Sequence, residues 1–237
     1  MADDELKDVV LLDSGGSNYA SLIAAFERLG ARCTPSRDPE RIRAATHLVL
    51  PGVGSAGAAM RAIAEQDLAG LIADSPQPLL GICLGMQVLF EHSEESDADC
   101  LGLIPGRVTR LPEAPGIRVP HMGWNSIRCI GNNPLLAGLD GCDFYFVHSY
   151  AAPCGEYTRA VTEHGRPFSA AVADVDGGNQ AGVHAPRSRK LASRRAPCGP
   201  ERSGWNCTPW MRPAPTAALN GRPCSVTACV YSPQGAA

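Results

Sequence analysis

Pro78-Leu-Leu-Gly-Ile-Cys-Leu-Gly-Met-Gln-Val-Leu-Phe90 is the stretch from which the rest of the chain can be read. The apolar run Leu79 to Ile82 has the length and density of a buried strand, and Met86, Val88, Leu89 and Phe90 have the density of a packed helix. Cys83 stands between them, with Gly81 and Gly85 two residues away on either side. Gly-x-Cys-x-Gly at a strand-to-helix junction is the cysteine form of a nucleophile elbow. A sharp turn forces its central residue into strained dihedrals, and a side chain on either flank would collide, so glycine is required there. The thiol would project at the carboxyl edge of a sheet beside the first N–H groups of a helix. That position is expected to lower its pKa towards thiolate. The competing reading is a buried structural cysteine that happens to lie between glycines.

Upstream, Asp8-Val-Val-Leu-Leu-Asp13 reads as a first strand and Ser14-Gly-Gly-Ser-Asn18 as its turn. A helix follows with Leu22, Ile23, Phe26 and Leu29 on one face, ending at Gly30. A short strand near Arg32 to Thr34 and a third at His47 to Leu50 complete a rhythm that predicts a doubly wound, mostly parallel sheet with helices on both faces. Such a sheet places its chemistry at the carboxyl ends of its strands. Pro51-Gly-Val-Gly54, leaving the third strand, is a common turn. Beside an elbow cysteine, its peptide N–H groups at Gly52 and Val53 suit an oxyanion hole.

Beyond the elbow, Gln87 falls one turn after Cys83 on the same helix face, where its amide could bond a polar substrate or solvent. His92-Ser-Glu-Glu95 and Asp97-Ala-Asp99 read as a solvated loop. Gly106 to Cys129 alternates like antiparallel strands and carries Val119-Pro-His-Met-Gly-Trp-Asn125; Trp124 there is either core filling or a partner surface. Asp143 to Val147 reads as a strand ending in His148-Ser-Tyr150, and His148 is a base by residue type or a hydrogen-bonded scaffold. Phe168 to Val172 and Ala181 to Val183 are the last strands that can be recognised.

Composition narrows the function classes. A chain of 237 residues holds one substantial domain, and its net charge of −3 argues against a nucleic-acid protein. No apolar run is long enough to cross a bilayer, and Met-Ala-Asp-Asp-Glu is unlike a signal peptide, so a cytoplasmic location is expected. The first six of ten cysteines have no CxxC or metal spacing and read as reduced thiols; no metal or cofactor is expected. Residues 184–237 differ in kind. They carry seven Arg and one Lys against Glu201 alone, so this stretch is +7 and residues 1–183 are −10. They also hold eight Pro and four Cys, without Ile or Phe. Disorder is expected there, and without interleaved aromatics or a groove-fitting helix the basic tail is a poor nucleic-acid binder.

Pro51-Gly-Val-Gly54, Gly81-Ile-Cys-Leu-Gly-Met-Gln87, Val119-Pro-His-Met-Gly-Trp-Asn125 and Phe146-Val-His-Ser-Tyr150 together resemble the class I glutamine amidotransferases. More narrowly, they resemble the glutaminase subunits of imidazole glycerol phosphate synthase in histidine biosynthesis. The resemblance spans roughly residues 8 to 183. It implies that Cys83 attacks the side-chain amide of L-glutamine, with Gly52, Val53 and Leu84 stabilising the oxyanion. Gln87 and the main chain near Ser149 and Tyr150 would hold the substrate. It further implies that ammonia passes to a cyclase subunit, in a heterodimer whose interface includes Trp124 and Asn125. That subunit would make imidazole glycerol phosphate and aminoimidazole carboxamide ribotide. Two other readings are a scaffold that docks without hydrolysing and a glutaminase serving a different synthase.

Members of that family complete the triad with a strand ending Gln-Phe-His-Pro-Glu-Lys-Ser. Here Gly182-Val183 is followed by His184-Ala-Pro-Arg-Ser-Arg-Lys190, with no Glu placed to orient the histidine. His184 is the one candidate substitute base in that stretch. If Ala185 to Lys190 are written as the codons GCC CCG AGA AGT CGC AAG, one of several possible choices, the same nucleotides read two positions later encode Pro-Glu-Lys-Ser-Gln. The domain is therefore expected to end incomplete at 183, followed by an out-of-frame tail. Resequencing the gene across Gly182 to Lys190, with an intact mass of the product, is expected to restore the His-Pro-Glu frame; an unchanged read with a matching mass would remove the frameshift.

Overall fold

The computed structural model describes residues 7–14 and 17–173, together with the backbone of 228–231. Strand β1 (Asp8–Leu12) leads to α1 (Tyr19–Arg28), β2 (Arg32–Ser36), α2 (Pro39–Arg43) and β3 (His47–Gly52). Helices α3 (Ala56–Glu65) and α4 (Leu68–Ala73) then precede β4 (Leu79–Cys83) and α5 (Leu84–Gln87). The remaining elements are strands: β5 (Phe90–Ser93), β6 (Ala98–Asp99), β7 (Ile104–Arg110), β8 (His121–Ser126), β9 (Arg128–Cys129), β10 (Asp143–His148), β11 (Tyr150–Ala151), β12 (Thr158–Glu163), β13 (Pro167–Ala173) and β14 (Ala228–Tyr231).

The main sheet runs β2-β1-β3-β4-β14-β13-β12-β9, and its first four strands are parallel. Period-two alternation sends neighbouring residues of these strands to opposite faces. Val9, Leu11, Val49 and Leu80 pack with Phe26, Leu22 and Ile23 of α1 on one face. Val10, Leu12, Leu48, Leu50 and Leu79 pack with Ile42, Ile63, Leu68 and Ile72 on the other. The expected doubly wound arrangement is therefore present, with antiparallel strands β13, β12 and β9 added at one side. Two smaller sheets, β10-β8 and β11-β7-β5-β6, carry the middle of the chain.

Several sequence expectations need correction. The elbow helix stops at Gln87 instead of continuing through Phe90, which begins β5. Every residue from Leu84 to Phe90 is buried, and a stretch covered on all sides has no period that separates helix from strand. His92 and Ser93, read as loop, belong to β5. Leu29 is 42% exposed as the C-cap residue of α1 and leaves the apolar face, while Gly30 takes φ +80° to end the helix. Helices α2 and α4 and strand β12 went unread. Within Gly106 to Cys129 the ladder is mixed, because β7 runs parallel to β5 and antiparallel to β11.

The expected strand at Ala181 to Val183 lies outside the described residues, as does nearly all of the 184–237 tail. The exception is β14, which the tail was not expected to form. Its backbone runs antiparallel to β4 and parallel to β13, giving ladder partners to two strand edges inside the sheet.

The glycines of the elbow act by closeness. A Cβ on Gly85 would overlap the carbonyl oxygen of Leu50 in β3, and one on Gly81 would meet Met86 Cα at 2.8 Å. A Cβ on Gly52 would lie 2.6 Å from Gly85 N. Strands β3 and β4 and the turn into α5 are thus in direct backbone contact. Gly85→Ala is expected to cost about 3 kcal/mol or more of stability, because the clash is with main chain that cannot yield. The check is the urea midpoint; a wild-type midpoint would mean that β3 and α5 are not so closely apposed.

Candidate active site

At the end of β4, Cys83 adopts φ 56°, ψ −117°, a conformation strained for any residue with a side chain. Parallel pairing of β3 with β4 sets Gly52 directly opposite Cys83, so the loop through Val53 and Gly54 leaves the sheet beside the sulfur. Val53 is 61% exposed there. The Leu84 N–H lies near enough to the Cys83 sulfur to favour its charged form. The expected low pKa is not found. Burial pushes the Cys83 thiol up, the Leu84 N–H opposes this, and the charge of Glu95 adds to the rise. Helix α5 has four residues, too few to supply the field expected of a longer helix.

Cys83 opens on a small recess with room for about one water molecule. Met86, Gln87, His148, Tyr150, Ala152 and Ser169 are among its lining residues. Gln87 is buried, and its Nε2 donates to the Tyr150 carbonyl at 2.9 Å. His148 Nδ1 lies 2.8 Å from the same oxygen, so that carbonyl accepts two donors. Ser149, the other main-chain candidate, has its carbonyl occupied by Leu111 N–H at 2.8 Å and does not line the recess. Of the residues singled out from sequence, the structure brings together Cys83, Leu84, Gly52, Val53, Gln87 and Tyr150. His184 lies outside the described residues.

Glu95 gains a significance that its sequence neighbourhood did not give it, and of the two readings of His148 its bond to the Tyr150 carbonyl fits the hydrogen-bonded scaffold. Glu95, read as part of a solvated loop, accepts the Ala56 N–H at 2.8 Å. It thereby tethers the start of α3, immediately after the Gly52–Gly54 loop, and its charge reaches Cys83. His148 reaches the recess from β10, with its pKa pushed down to about 4, chiefly by burial. Neither could have been placed locally, because both reach the cysteine across separate strands.

Trp124 and Asn125 divide between the two faces of β8. Trp124 (42% exposed), Met122 (62%) and Val147 (52%) point outward, and Trp124 lies against Tyr145 with ring centres 5.2 Å apart. Asn125 is half-buried behind them, bonded to His121 and to the Glu163 carbonyl. Of the two readings left open for Trp124, its exposure tells against core filling. Among the described residues no three His, Cys, Asp or Glu are grouped to hold a metal, and no helix is long and apolar enough to cross a membrane. Cys33, Cys83, Cys100, Cys129, Cys142 and Cys154 are free thiols.

Comparison with known proteins places this geometry. The family model "Glutamine amidotransferase class-I" matches residues 10–185. The chain is 48% identical over 168 residues to the imidazole glycerol phosphate synthase subunit HisH of Xanthomonas campestris pv. campestris, covering 70% of this chain and 84% of that one. It is 46% identical over 197 residues to the HisH subunit of Vibrio cholerae serotype O1, covering 79% and 95%. A crystal structure of a glutamine amidotransferase shares the fold, with a TM-score of 0.52 at 18% identity, covering 67% of this chain and 85% of that one. An elbow cysteine beside a glycine loop, and a family match spanning most of the chain, lead to one conclusion: the protein belongs to the class I glutamine amidotransferases.

Proposed function

We propose that the chain is the glutaminase subunit of an imidazole glycerol phosphate synthase, hydrolysing L-glutamine and delivering ammonia to a cyclase subunit. The observation that carries the chemistry is Cys83 at φ 56°, beside Gly52 and opening on a recess lined by Gln87 and Tyr150. In this reading the Cys83 sulfur bonds the side-chain carbonyl carbon of glutamine, and the amide oxygen takes the negative charge. Donors at Gly52, Val53 and Leu84 face that oxygen. The carbon–nitrogen bond then breaks, the nitrogen leaves as ammonia after taking a proton, and water cleaves the thioester to glutamate. His184 is the candidate for the proton transfers. Gln87 and the main chain at Tyr150, which line the recess, would hold the amino acid, and Ser149 would act only by fixing the strand beside them.

Met122, Trp124 and Val147 form an apolar face on two adjacent strands, a fit for the cyclase partner, with Trp124 in contact and Asn125 directly behind it. We take residues 1–183 as the amidotransferase domain and 184–237 as its out-of-frame tail. The curated relatives are named as subunits of the same synthase, which supports this assignment over a different acceptor.

With purified cyclase present, glutamine hydrolysis is expected to fall by about 10³-fold or more in Cys83→Ala. A wild-type rate no higher than that variant's would make the chain a docking scaffold. Trp124→Ala should weaken capture of the cyclase about tenfold or more with little change in melting temperature; capture unaltered by this change would move the interface elsewhere. Without substrate, burial of Cys83 means that little thiolate exists at neutral pH. Its alkylation by iodoacetamide should therefore keep accelerating as pH rises past about 9. A rate that levels off below pH 7 would show an activated thiolate in the free protein.

A further inference from the structure

Behind the apolar face of β8 and β10 lies a chain of hydrogen bonds whose proton count does not close. His148 Nδ1 faces the Tyr150 carbonyl at 2.8 Å. A carbonyl only accepts, so Nδ1 carries the proton, and in the neutral ring Nε2 is bare. His121 Nδ1 lies 3.1 Å from that bare nitrogen, and the link exists only when His121 is protonated on Nδ1. On its other side, His121 Nε2 lies 3.2 Å from Asn125 Oδ1. The Asn125 amide cannot turn over, because its Nδ2 donates to the Glu163 carbonyl at 2.7 Å. The Asn125 bond therefore needs the proton on His121 Nε2. A neutral imidazole has one proton, and two neighbours require it at opposite ends.

An imidazolium would serve both neighbours, but the surroundings disfavour it. His121 is 3% exposed, stacked on His164 at 4.0 Å and on Phe146 at 5.4 Å, with Phe168 edge-on at 6.2 Å. His164 is itself protonated on Nε2, which faces the Arg118 carbonyl at 2.7 Å. Burial and the histidines push His121 and His148 down, against the pull of Asn125 on one and the Tyr150 carbonyl on the other. Among the described residues, the groups acting on this pair include no carboxylate.

We propose that His121 is a two-position tautomeric switch that bonds either His148, at the glutamine recess, or Asn125, at the docking strand, but not both. Moving the proton from Nε2 to Nδ1 of the same ring leaves the net charge unchanged. With the proton on Nδ1, an unbroken chain runs from His121 through His148 to the Tyr150 carbonyl, which Gln87 also holds at 2.9 Å. With the proton on Nε2, two lone pairs face each other across 3.1 Å, and His148 loses its support while Asn125 gains one. Loss of the Asn125 bond when a partner docks on the outer face of β8 would release His121 to His148 and firm the recess. His121 is thus a positioning residue for the site. That connection rests on the assignment of the recess and of the docking face; the switch itself needs neither.

The test is the nitrogen-15 shift of the His121 ring in full-length protein at pH 7.5, labelled at histidine, with neither glutamine nor cyclase present. Asn125→Leu removes one acceptor and His148→Phe the other. Asn125→Leu is expected to favour the Nδ1–H form, and His148→Phe the Nε2–H form, each by about tenfold. Asn125→Ala and His148→Leu are alternative deletions of the same two acceptors should a bulkier variant not fold. The same His121 tautomer in both deletions, or a doubly protonated His121 in the wild type, overturns the switch. Since no turnover is read, an inactive glutaminase with opposite tautomers in the two variants leaves the switch standing.

Discussion

The structure depends on the approach of one backbone to another, where the Leu50 carbonyl of β3 lies against the α-carbon of Gly85 at the start of α5. Nothing larger than hydrogen fits between them, and similar contacts at Gly52 and Gly81 close the other sides of the turn. With main chain fixed on these sides, Cys83 is held at φ 56°, and the folded sheet supports a strain that an isolated turn would relax. Orientation of the sulfur, its opposition to Gly52 and its closeness to the Leu84 N–H all follow from that contact.

The same close packing has an electrostatic cost. A cysteine set into the edge of a sheet loses hydration, and a four-residue helix with one backbone donor does not compensate for it. Glu95 works in the same direction while it tethers the start of α3. In the free protein the nucleophile is therefore held in geometry ahead of its activation. A proton acceptor or a positive charge brought close would have to supply the rest.

Strands β8 and β10 show how alternation along a strand can join two tasks. Met122 and Val147 face each other on the outer side, while His121 and His148 face each other on the inner side. The apolar face and the histidine chain are thus two sides of one two-stranded ribbon.

Much of this was legible in the residues. Alternating apolar positions in β1 and β3 were enough to predict helices on both faces, and the glycine spacing around Cys83 was enough to predict the elbow, because both depend on local stereochemistry. Leu84 to Phe90 misled, since a segment buried on every side looks alike as helix or strand. The thiol pKa misled as well, because desolvation depends on what covers the sulfur. Glu95 had no local mark of its role, and His148 was a candidate by residue type alone; they reach the site from between β5 and β6 and from β10, far along the chain. Sequence alone determined which backbone turns were possible and which residue would stand at the sharpest of them. Tertiary structure decided how that residue is solvated, which carbonyls remain free and which histidine proton has two claimants, because burial and hydrogen-bond competition exist only once distant segments meet.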